Sequence, residues 1–138
     1  MDNHTKETRS YNMSKIQSKN SKPEEFVRKF LFSKGYRYRK NVKKLPGCPD
    51  IVLAKYKTII FVNGCFWHMH DGCSRFVLPA SNVGYWKNKL LKNKMRDAIN
   101  IDKLKKLGWH VIVIWECQLR KNEREKNLTL LCNEIKKR

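Results

Sequence analysis

The apolar positions change period several times along the chain, and each change marks an element. In "SKPEEFVRKFLFSKG" they recur at helical spacing, with Phe26, Val27, Phe30 and Leu31 on one face. Ser21 caps this predicted helix, Pro23 fits its first turn, and Gly35 stops it. The next stretch, "YRYRKNV", alternates as a strand does. A Pro-Gly turn then leads into a short apolar strand, Asp50 to Ala54, and "KYK" turns the chain into a second, Thr58 to Val62. Two apolar, β-branched runs this close together predict a hairpin. Beyond a loop around Leu78, Pro79 and Ala80, a basic helix is predicted from about Asn82 to Leu107. Trp86, Leu90, Ile101 and Leu104 are among its apolar positions, and Gly108 is its stop. "WHVIVIWE" is the most buried-looking strand, Trp109 to Trp115, and a charged helix from about Glu123 to Lys136 closes the pattern.

That order of elements predicts an α/β fold, a central sheet flanked by helices with a crossover through the long helix. At 138 residues and 41% hydrophobic content, the chain is one domain's worth with enough apolar surface for a core. The first twenty residues stand apart: they are polar and basic, with isolated Tyr11, Met13 and Ile16. On composition alone that is equally the pattern of a frayed terminus.

Charge narrows the partner. Lys and Arg outnumber Asp and Glu by 31 to 12, a net charge of +19 spread from Lys6 to Arg138. Such an excess makes a polyanion the default partner, with nucleic acid ahead of an anionic membrane. No long apolar run or basic amphipathic anchor supports the membrane. Nothing near the start resembles a signal peptide, which predicts a cytoplasmic protein with reduced thiols. The five cysteines then read as metal ligands and spares, not as a disulfide framework.

Candidate chemistry concentrates in "NGCFWHMHDGC", where Cys65, His68, His70 and Cys73 fall within nine residues. Zinc favours thiolate and imidazole donors in a tetrahedron. Cys65, His70 and Cys73 span a loop able to wrap one ion, and Cys117 in "WEC" can supply a fourth donor. Cys48, in a turn, and Cys132, in the last helix, sit worse. Periodicity does not separate His68 from His70, because residues two apart in an extended segment point the same way. The plainer alternative is that Cys65 and Cys73 are simply buried thiols. His4 and His110 read as structural.

Asp50 enters a strand after a proline, a placement common for the first carboxylate of metal-dependent nucleases. The usual acidic-x-Lys partner is missing, for the corresponding positions are Phe61, Val62 and Asn63. By itself Asp50 reads as a turn aspartate that starts a strand. Its strand's partner, however, delivers the chain to His68. A carboxylate suits Mg²⁺, and Mg²⁺ beside an imidazole can activate water against a phosphodiester.

"LPGCPDIVL", "IIFVNGCFWHMH", "WKNKLLKNKMRD", "LGWHVIVIWEC" and the amino-terminal "TRSYNMSKIQSKNSKPE" together resemble the very short patch repair (Vsr) DNA mismatch endonucleases, from about Thr8 to Arg120. The resemblance implies a restriction-endonuclease-like fold, a central mixed sheet flanked by helices, with a structural zinc site and a Mg²⁺-dependent active site. It implies nicking of double-stranded DNA 5′ of the thymine of a T:G mismatch, the repair of deaminated 5-methylcytosine. It assigns Cys65, His70, Cys73 and Cys117 to zinc, and Asp50 with the backbone carbonyl of Val62 to Mg²⁺. His68 becomes the acid/base histidine.

Glu24 matches an active-site acid, although Ser21-x-x-Glu24 is equally an ordinary capping box. Phe66 and Trp67 match aromatics that wedge into the base stack, and Met13 a residue inserted from the minor groove; core packing is the plainer role for the aromatics. Lys87, Lys89 and Lys92 are phosphate contacts or a solvated face. Residues 1–20 become a basic arm contacting DNA and 21–138 a single Vsr-type endonuclease domain. The expected setting is a monomer at the nucleoid, with mismatch-repair proteins as further partners.

Two departures stand out. Asn63 replaces a histidine common in the family, and Asp71-Gly72 adds one residue before Cys73. Two other functions remain open at this stage. One is a nicking or restriction-type endonuclease acting on undamaged duplex. The other is a non-catalytic, zinc-containing DNA-binding module.

Overall fold

The computed structural model describes residues 22–74 and 76–137. The expectations for Met13, the arm 1–20 and the Ser21 cap fall outside them. Helix α1 (Lys22–Ser33) has the predicted face: Val27 and Leu31 are fully buried, and Phe26 and Phe30 pack against them. Four strands follow as one sheet in the order β1 (Arg39–Lys40), β2 (Ile51–Leu53), β3 (Thr58–Asn63), β4 (His110–Trp115). The β1–β2 and β2–β3 pairs are antiparallel, so the predicted hairpin is present, whereas β3 and β4 are parallel. Parallel neighbours need a crossover. Helix α2 (Val83–Lys106) supplies it, and α3 (Arg124–Lys136) follows β4 after a short 3₁₀ turn at Glu116–Leu119.

Alternation along the strands decides the layers. Ile51, Leu53, Ile60, Val62 and Ile114 point to the side covered by α1 and α3, where Val27, Leu31, Leu128 and Ile135 complete the larger core. Val52 and Ile59 point the other way, against Leu104 of α2, with Phe61, Trp109 and Val111 around them. The central strands are therefore covered on both faces, which is why β2 reads as an unbroken apolar run. The protein is a mixed α/β domain, a four-stranded mixed sheet between helices.

Two strand expectations change. "YRYRKNV" gives only the two-residue β1, exposed throughout. It is an edge strand with charged side chains, and Asn41 leaves extended geometry at φ +52°. The strand that looked most buried, β4, lies at the other end of the sheet order, with only Ile114 fully inside. Buried status belongs to β3, which has a neighbour on each side. Among the described residues no helix is long and apolar enough to cross a membrane.

Candidate active site and metal centre

Parallel pairing of β3 with β4 builds the site. Asn63 lies opposite Trp115, so both strands leave the sheet at the same edge and in the same direction. Cys65 and Cys117 each come two residues after those paired ends, and the equal offset brings them together. The donor atoms of Cys65, His70, Cys73 and Cys117 all lie within 4.8 Å of one another. A tetrahedron with bonds of about 2.3 Å has edges of roughly 3.8 Å, so the group can close on one ion with small movements. Burial pushes the Cys65 thiol up to about 12 and raises Cys117 as well, and the crowded sulfurs also hydrogen-bond one another. Thiols this close together ionise together only if a cation shares their charge. The four residues fit a metal.

The loop also separates the two histidines. It is not extended: the His68 amide donates to the Gly64 carbonyl at 3.2 Å and the His70 amide to the Cys65 carbonyl at 2.9 Å. Met69, between the two, has φ +48°, so the imidazoles do not share a face. Trp115 touches both rings, stacking on His70 at 4.0 Å and 4° and meeting His68 edge-on at 6.5 Å and 73°. His70 turns Nδ1 toward Cys117 Sγ at 3.4 Å, whereas His68 Nδ1 pairs with the Asp97 carboxylate of α2. Gly72, at φ +70° with open space where a Cβ would lie, turns the chain just before Cys73.

Asp50 sits beyond the paired end of β2, and its Oδ2 accepts a 2.7 Å hydrogen bond from the Val62 amide. Burial pushes the Asp50 carboxyl up to about 7; the Val62 amide works against the shift, Glu24 adds to it, and His68 opposes it. Glu24 is buried, hydrogen-bonds Asp50, and accepts from Arg28 at 3.2 Å. A carboxyl group held up to about 7 with a second carboxyl against it forms a site suited to a hard cation.

Asp50, Glu24, His68 and Asp97 line one open cavity of about 420 Å³, together with Phe66, Trp67, Asn93 and Arg96. Asp97 was not singled out in the sequence, yet a signal for it was present. The inner face of α2 reads Trp86, Leu90, Asn93, Asp97, Ile101, Leu104 at helical spacing. Two polar residues interrupt an otherwise apolar stripe, and they do so where the helix passes the cavity.

The two aromatics are unequally exposed. Trp67 is 7% exposed, packed edge-to-face on Phe66 (5.1 Å) and Trp86 (5.9 Å), and its Nε1 is buried without a hydrogen-bond partner among the described residues. Phe66 is half-buried. Lys89 Nζ lies over Trp67 and Trp86 at 5.7 and 5.8 Å, so it is held against the aromatics, while Lys87 and Lys92 are exposed. Asn63 is buried and lines the same cavity, and His110 pairs with Glu134 at 3.5 Å, away from the cavity residues.

A close carboxyl pair with Glu24 buried, an aspartate-held imidazole and a strong positive charge suit the chemistry of a phosphodiester hydrolase. Comparison with known proteins narrows it. The family model for the DNA mismatch endonuclease Vsr matches residues 1–75. A type II nicking enzyme, V.NmeAIP of Neisseria meningitidis, is 51% identical over 134 residues, covering 96% of this chain and 94% of its own. The DNA mismatch endonuclease Vsr of Escherichia coli K12 is 41% identical over 123 residues, covering 89% and 78%. The type II nicking enzyme V.XorIIP of Xanthomonas oryzae pv. oryzae is 46% identical over 113 residues, covering 82% of each. The protein is a DNA endonuclease. More particularly, the chain belongs to the DNA mismatch endonuclease Vsr family.

Proposed function

We propose that this protein nicks one strand of double-stranded DNA on the 5′ side of a thymine mispaired with guanine, as a step in repairing deaminated 5-methylcytosine. The observation that carries the reading is His68 held by Asp97 in the same cavity as Asp50 and Glu24. With Nδ1 engaged by the carboxylate, Nε2 is the nitrogen left to take a proton from an attacking water. The water oxygen bonds to phosphorus, the P–O3′ bond breaks, and the 3′ oxygen leaves and takes up a proton. A 5′-phosphate and a 3′-hydroxyl result. Asp50, with the Val62 carbonyl as a second contact and Glu24 beside it, would hold Mg²⁺, which supplies a Lewis acid for the phosphate. Cys65, His70, Cys73 and Cys117 would hold a structural Zn²⁺, stiffening the loop that carries His68. The layered mixed sheet is read as the restriction-endonuclease-like fold of this family.

For the mismatch, Phe66 is placed at the wedge tip with Trp67 behind it, since Phe66 is the less buried of the two. Met13 and the arm 1–20 are assigned to the minor groove. Unstacking costs least at a mispair, so an apolar wedge discriminates without reading a base edge. The protein is expected to act as a monomer at the nucleoid, with mismatch-repair proteins as further partners.

The test compares T:G, T:A and C:G versions of one duplex library in Mg²⁺. Nicking confined to T:G is the expected result; equal cutting of all three defeats mismatch specificity. That second outcome favours a nicking enzyme for undamaged sequence; two of the relatives above are described as type II nicking enzymes. Intact DNA throughout would leave a DNA-binding module.

A further inference from the structure

The cavity that holds His68 is lined by four carboxyl groups, Glu24, Asp50, Asp97 and Glu116. A phosphodiester entering it meets repulsion from every ionised member of that set. Among the described residues, Arg96 is the one Lys or Arg side chain that lines this cavity. Arg28, close by, does not line it and is committed to Glu24 at 3.2 Å. Arg96 stands next to Asp97 on α2, but the Asp97 carboxylate is taken by His68. Its guanidinium is exposed and makes no ion pair or side-chain hydrogen bond among the described residues. α2 is anchored at both ends of this stretch by fully buried Leu90 and Leu104, so the backbone carrying Arg96 is held firmly.

We propose that Arg96 clamps the scissile phosphate, donating from its guanidinium fork to the two non-bridging oxygens. This rests on the phosphodiester-hydrolase reading above. The fork matches two oxygens of a phosphate, which a lysine ammonium does not. As water adds, negative charge on those oxygens grows, so the contact is stronger in the transition state than in the bound substrate. His68 is the one imidazole lining the cavity among the described residues, and Arg96 adds a fixed positive charge beside it.

The experiment uses the metal-loaded full chain with three variants: Arg96→Ala, Arg96→Lys, and Lys105→Ala as a charge-removing comparator on the same helix, exposed and outside the cavity. Binding is measured without turnover to two duplexes, one natural and one carrying a neutral methylphosphonate at the scissile position. Wild type and Lys105→Ala should both prefer the natural duplex, by about tenfold for a lost charge-assisted contact. Arg96→Ala should reduce that preference to near unity. Its single-turnover nicking should fall roughly 10²–10³-fold, while Arg96→Lys recovers part of the rate. Melting temperature and metal content check that each variant is folded. A wild-type protein indifferent to the replacement, or a preference that survives Arg96→Ala, overturns the proposal. A wild-type protein that binds with the preference but nicks no duplex sinks the hydrolase reading alone.

Discussion

Replacing Asp50 by asparagine should destroy nicking and at the same time stabilise the Mg²⁺-free protein at alkaline pH. Asparagine keeps the geometry of the protonated acid: its oxygen can accept from the Val62 amide, and its nitrogen can donate to Glu24. It removes the ionisation. The wild-type carboxyl is pushed from 3.8 to about 7, chiefly by burial. The folded state therefore binds a proton more tightly than the unfolded chain. Asp50's contribution is fully present below about pH 4 and is lost as the pH rises through 7. Three pH units at about 1.4 kcal/mol each set a ceiling on the order of 4 kcal/mol. Water entering the open cavity relieves part of this, leaving about 1–3 kcal/mol, or roughly 3–12 °C in melting temperature for a domain of this size.

The assay is thermal or urea unfolding of wild type and Asp50→Asn from pH 5 to 8.5, with the Cys/His metal retained and no Mg²⁺ present. Wild type should lose stability relative to the variant between pH 5 and about 7 and run parallel to it above that, with the variant the more stable. Millimolar Mg²⁺ should then raise the melting temperature of wild type only. A variant less stable than wild type at pH 8, or two curves that stay parallel from pH 5 to 7, refutes the account of a cation site built from crowded carboxyl groups.

Other outcomes follow from the same geometry. The protein should carry about one zinc ion per chain. Cys117→Ser should lose it and melt earlier, and because the Cys65 and Cys117 thiols sit high, affinity should fall as the pH is lowered; elemental analysis and a competition titration read both. His68→Ala should lower single-turnover nicking by roughly 10²–10⁴-fold with zinc content unchanged, and metal loss in that variant would mean the two histidines are exchanged. Asp97→Asn should slow nicking in the same direction without altering zinc or affinity for DNA; wild-type rates would remove Asp97 from the site. Gly47→Ala should destabilise the protein by about 1–3 kcal/mol in urea unfolding, because Gly47 has φ +79° and a Cβ there would meet Asn100 at 3.1 Å and Phe61 at 3.2 Å.

Much of this protein is written locally. Helix α1, the β2–β3 hairpin, α2 and α3 follow from period, cap and stop residues, because each buries one face whatever its neighbours are. The crowding of Cys65, His70 and Cys73 was visible for the same reason: short loops bring their own donors together. What the chain does not write locally is which distant residues meet. Cys117 joins the metal group because β3 and β4 pair in parallel, Asn63 opposite Trp115. That register is a property of the sheet, carried by no short stretch of sequence. β4 reads as a central strand but lies at a sheet end, since apolar composition reports burial of side chains and not the number of strand neighbours. Asp97 reaches His68 across 29 residues. Its polarity on an apolar helix face was legible, but its partner was not, because only packing of α2 on the sheet sets the distance. The split between His68 and His70 turned on Met69's left-handed backbone, which no residue type announces. Sequence decided the elements and the donor chemistry; tertiary contact decided which donors share an ion and which imidazole is free to act.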